Sequence, residues 1–136
     1  FPAEVTDWTV DPARDLGIDG RRYVVYDWVA GTAAELAGPF TLPPMPHLYD
    51  YAFLVLAPVQ ENGLALLGEV AKYVPLADRR FREVTVTPTG FDLVLEGVPG
   101  EEVSVLAWDA DAGAPVGPVA VNLDAEGLAV VSIGRP

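Results

Sequence analysis

The chain has 136 residues, twenty acidic against eight basic side chains, a formal net charge of -12 and no cysteine. That length suits a single domain with a core of its own. The charge repels polyphosphates and anionic bilayers, so neither nucleic acid nor membrane is expected as a partner. The missing thiols leave no disulfide framework and no thiolate metal site.

Thirteen glycines and thirteen prolines cut the chain into short pieces, and no apolar run approaches the roughly 20 residues of a membrane helix. The chain begins with Phe1 rather than Met, so it is expected to be a processed chain or a piece of a longer one. The first predicted element is a short helix in "DPARDLG", 11–17, with Asp11 as cap and Pro12 in the first turn. "RRYVVYDWV" then alternates Val24, Tyr26 and Trp28 against Tyr23, Val25 and Asp27, the period of a half-buried strand. Four prolines between Ala37 and Leu48 exclude a helix or a central strand there. The strongest apolar run, "YAFLVLAPV", leads to "QENG", where Asn62-Gly63 is a favoured turn pair. Leu64 to Gly68 reads as a buried strand, and Glu69 to Asp78 as an irregular excursion around Pro75.

Alternation resumes in "REVTVTP" and "FDLVLEGV", with "PTG" at 88–90 as a tight hairpin between them. "VPGE" at 98–101 reads as a second hairpin before "EEVSVLAW", and "DAEG" at 124–127 separates the last two strands. Short strands joined by tight turns predict an all-β domain, an antiparallel β-sandwich spanning residues 1–136.

Candidate chemistry is sparse. His47 is the only histidine, so a zinc site has no partners to draw on, and a hydrogen-bonded histidine at the start of a strand is expected. The two serines, Ser104 and Ser132, lie in alternating strands without a glycine elbow. "DADAG" at 109–113 fails the spacing of a calcium loop, because Gly113, Ala114 and Ala120 stand where ligands and the turn glycine belong. Acid pairs such as Glu101 with Glu102, or Asp7 with Asp11, do not form a glycosidase pair, since strand neighbours point to opposite faces. No catalytic residue, metal or cofactor is expected. Aromatic rings that could stack on a sugar are Trp28, Trp108 and Tyr49.

Several segments in order carry a family resemblance: "VTDWTVDP" at 5–12, "YVVYDWVAG", "LPPMPHLYDYAFLVLAPV", "NGLALLGEVAKYVPLADRRF" and the closing "VTVTPTGFDLVLEGVPGEEVSVLAWDA". Together they resemble the C-terminal β-domain of glycoside hydrolase family 36, most closely its raffinose-synthase-like or alkaline α-galactosidase branch. The resemblance implies a non-catalytic accessory domain of a carbohydrate-active enzyme, packed on a (β/α)8 catalytic barrel of the parent chain. The parent would act on α-galactosides by hydrolysis or galactosyl transfer. The family's catalytic aspartates lie on the barrel and match no stretch of this sequence, so none is carried over. The alternatives are a stand-alone carbohydrate-binding module or an Ig-like structural domain. The compartment stays open, with the cytoplasm favoured. A hydrophobic content of 51% and a mean hydropathy of +0.28 predict one unusually apolar face.

Overall fold

The computed structural model of the chain describes residues 8–42, 44–45 and 47–136. Asp7 and two of the four prolines of the 37–48 segment therefore lie outside the described residues. The helix α1, Pro12–Leu16, forms where its cap predicts. Asp11 Oδ1 accepts the N–H groups of Ala13 and Arg14, each at 3.2 Å. Gly17 ends the helix at φ 64°, a left-handed conformation that costs glycine nothing.

Eleven strands are described, and all their pairings are antiparallel. Two very short ones, β1 (Thr9–Val10) and β4 (Phe40–Thr41), pair with each other. The rest form three sheets. One joins β2 (Tyr23–Asp27) to β3 (Thr32–Glu35) and β5 (Leu54–Pro58). The second places β9 (Glu102–Asp109) between β6 (Leu64–Gly68) and β10 (Ala114–Asn122). The third places β8 (Gly90–Glu96) between β7 (Phe81–Val86) and β11 (Leu128–Gly134).

The third sheet packs on the second as the expected sandwich. Phe91, Leu93 and Leu95 on alternate positions of β8 are buried, and they meet Leu64, Leu66, Val103, Val105 and Ala107. The other face of the second sheet is buried as well. Ala65 and Leu67 of β6 pack with Val24 and Tyr26 of β2, flanked by Leu106, Trp108 and Ala110. The molecule is thus a three-layered β structure whose middle sheet is covered on both sides. This explains the run "LALL": a strand buried on both faces has no position for a polar side chain. Trp28 lies against this second core with Val24 and Tyr26, on the side that the alternation assigned to it.

One expectation needs correction. Residues 98–101 do turn, but they do not make a hairpin, because β8 and β9 belong to different sheets. Both edges of β8 are already taken, by β7 and β11, so the chain leaving it must cross to the neighbouring layer. The connection from β10 to β11 crosses back. The two crossings bond each other, Gly97 N–H to the Gly127 carbonyl at 2.8 Å and Gly100 N–H to the Leu123 carbonyl at 3.0 Å. The expected hairpin at 88–90 is present between β7 and β8. Asn62 ties that hairpin to the β5–β6 turn. Its amide donates to the carbonyls of Thr87 and Gly90, at 2.8 and 2.9 Å, and its Oδ1 accepts the Leu64 N–H at 2.9 Å.

The excursion after β6 is irregular, as expected, and it is tightly held. Gly68 has φ 81°, and a Cβ there would collide with the Pro75 carbonyl. The Glu69 N–H donates to that same carbonyl at 2.9 Å. Tyr73 stacks on Trp28 with ring centroids 5.0 Å apart, and Phe53 meets both rings edge-on.

Candidate functional site

Acid–base chemistry draws on carboxylates whose burial and neighbours retune a proton. Glu69 and Asp109 are the buried charged residues among those described. Both are closed into arginine pairs. Arg80 donates from Nε to Glu69 at 3.0 Å, from Nη2 to Glu101 at 2.6 Å and from Nη1 to the Glu96 carbonyl at 3.1 Å. Arg135 grips Asp109 with Nε at 2.6 Å and Nη2 at 3.1 Å, and reaches the Asn62 carbonyl at 2.7 Å.

The Arg135 guanidinium, assisted by the Ala112 and Asp111 N–H groups, holds Asp109 well below the usual carboxylate range. A proton donor needs the opposite shift, so Asp109 is a clamp. A depressed folded-state value contributes stability that is complete above the unfolded value and lost as pH falls. The melting temperature should accordingly drop as pH falls below about 4. In Arg135→Gln the neutral-pH melting temperature should be lower and the acid slope shallower. An unchanged slope in a pH-resolved melting series would contradict this role for Arg135.

A second arginine chain runs from the first layer to the same corner. Arg22 makes a two-pronged contact with Glu35, at 2.6 and 2.9 Å, and reaches Asp111 at 3.1 Å. Six of the seven arginines are in ion pairs with the chain's own acids among the described residues. Among the described residues, no group of three or more His, Cys, Asp or Glu side chains gathers around a possible metal position.

Of the residues singled out in the sequence, only Trp28 and Trp108 share one core among the described residues. The His47 side chain is exposed, ahead of β5, and it is its backbone N–H that bonds, to Asp50 Oδ2 at 2.8 Å. Ser132 Oγ donates to Asp92 Oδ1 at 2.6 Å on the third sheet, a pair without a histidine. Ser104 is exposed on β9, and Glu102 beside it is exposed while Glu101 holds Arg80. Trp28 and Trp108 are half-buried against the second core. Tyr49 is 89% exposed and lies at the end of the first sheet with Asp27 and Val29.

Of several concave regions, two are lined by exposed large apolar side chains. One, of about 210 Å³, is lined by Leu66, Leu76, Phe81, Val84, Val86 and Phe91. Val84 and Val86 share a face with Phe91 and Leu93 yet stay nearly half exposed, at 46% and 44%, because no described residue covers them across the cleft. The other, of about 380 Å³, lies at the end of the first sheet. The β2–β3 turn supplies Asp27, Val29 and Ala30, and the segment before β5 supplies Tyr49, Asp50, Tyr51 and Ala52, with Pro44 and Met45 beside them. Pairing of β2 with β5, Asp27 opposite Leu54, brings these two segments together. Asp27 shapes its wall, since its Oδ1 accepts the N–H groups of Val29 and Ala30, both at 3.0 Å. Tyr51 in this depression has no periodic sequence signal, and only the strand pairing places it beside Asp27.

No family model, no curated protein and no solved structure matches this chain.

Proposed function

We propose that this chain is a non-catalytic accessory β-domain of a carbohydrate-active enzyme of the glycoside hydrolase family 36 kind, packing on and stabilising a (β/α)8 barrel of its parent chain. The observation that carries the reading is the state of the buried carboxylates. Glu69 and Asp109 are both held as arginine-paired clamps between layers, which leaves neither of them to move a proton. The exposed apolar side chains in the two concave regions suit packing rather than catalysis. The purified chain should release no p-nitrophenol from p-nitrophenyl α-galactoside, and its fusion to the parent barrel should raise the barrel's melting temperature. Turnover that scales with the amount of purified chain would refute the proposal.

The stand-alone carbohydrate-binding reading draws on Tyr49, whose ring is almost wholly exposed. Of the three candidate rings, Trp28 and Trp108 are engaged in packing. A saturable change in aromatic fluorescence with melibiose or raffinose, lost in Tyr49→Ala, would favour that reading over the accessory-domain one.

A further inference from the structure

We infer that the depression at the end of the first sheet is a docking site for an arginine or lysine side chain projecting from a protein partner. The inference goes beyond the accessory-domain reading and does not depend on it, because any protein surface with such a side chain would serve. The depression combines two features that rarely share one unpartnered surface. Tyr49 is 89% exposed, Tyr51 56% and Val29 58%, with Met45 alongside. Tyrosine and methionine are enriched at protein interfaces, while a free surface gains little by showing them. Asp27 and Asp50 line the same depression.

Neither aspartate is in an ion pair among the described residues, although six arginines of this chain neutralise other acids. The hydrogen bonds to backbone N–H groups use Oδ1 of Asp27 and Oδ2 of Asp50, so the other oxygen of each carboxylate accepts no hydrogen bond from the described residues and can receive a guest. A cation resting on a tyrosine face beside two carboxylates gains ring-quadrupole attraction and charge-assisted hydrogen bonds together. A guanidinium suits this best, being planar and weakly hydrated, and it stacks on aromatic faces. The net charge of -12 adds a field that draws cationic surfaces in and turns acidic ones away.

The test is titration of the isotope-labelled 136-residue chain with N-acetyl-arginine amide, followed by amide signals in two-dimensional spectra. The neutral isostere N-acetyl-citrulline amide and the sugar raffinose serve as comparison arms. Saturable shifts centred on Val29, Tyr49 and Tyr51 are expected with the arginine probe alone. Tyr49→Ala and Asp50→Asn should each weaken binding by about two- to fivefold. Glu126→Gln, which removes an exposed charge in the β10–β11 turn, should leave binding unchanged. Equal shifts with citrulline, stronger shifts with raffinose, no saturable shift, or equal weakening by Glu126→Gln would each overturn the proposal. None of these results bears on whether the chain hydrolyses p-nitrophenyl α-galactoside, so failure here is separable from failure of the accessory-domain reading.

Discussion

Arg80→Met is expected to destabilise the domain by about 3 kcal/mol, the lower part of the range for breaking a buried ion pair. The cost arises on Glu69, whose side chain is only 9% exposed and would lose its partner. Glu101, at 25%, can recover some water, which is why the upper part of the range is not expected. The loss would also free the Glu96 carbonyl and detach the 69–80 excursion from the turn between β8 and β9. Gly97 shows how closely that turn is fitted around the guanidinium, since a Cβ there would collide with Nη1 of Arg80. Urea unfolding of Arg80→Met, Glu69→Gln and the double variant measures the coupling. Glu69→Gln in the Arg80→Met background should restore part of the loss. The control is Arg82→Met: its pair with Glu96 is exposed on both sides, and its loss should cost under about 1 kcal/mol. Equal costs for Arg80 and Arg82 would remove the case for Arg80 as the tie of the excursion.

Leu67→Ala is expected to cost about 2–5 kcal/mol, the range for emptying a fully buried leucine site. The position of the damage is the more telling part. Leu67 is wholly buried on the face of β6 that meets Val24, Tyr26 and Ala57, away from the Phe91 core. Hydrogen exchange should therefore rise most in β2, β3 and β5, while β8 and β9 keep the larger share of their protection. Leu64→Ala, on the opposite face of the same strand, should reverse the pattern. If both variants loosen all three sheets equally, the two cores do not act as separate packing units.

Much of the local structure is legible in the chain. The alternation in β8 assigns Phe91, Leu93 and Leu95 to one face, and that face is buried. The Asp11-Pro12 signal marks the start of the helix, because the cap bonds span only two and three residues. The candidate sites are less legible. The basic doublet Arg79-Arg80 looks symmetrical in sequence, yet Arg79 is exposed and Arg80 is half-buried between two glutamates. Nothing local separates them; the carboxylates that choose Arg80 come from residues 11 and 21 positions away. Tyr49 and Trp28 look equally available as rings, but Trp28 is claimed by Tyr73 from a distant segment.

Composition and period by themselves determined the all-β class, the faces of the alternating strands, the helix cap and the buried character of Leu64–Gly68. These depend on side chains two to four positions apart, and a strand or turn exposes that spacing directly. Tertiary structure alone decided that the sandwich carries a third layer, that residues 98–101 cross between sheets, and that Asp27 and Tyr51 share a depression. Strand pairing is made by backbone groups that every residue carries, so neighbours in a sheet are selected by the packing of whole faces. The run "LALL" announces burial on both sides, but what covers each side is settled only when β2, from before it in the chain, and β8, from after it, pack on its two faces.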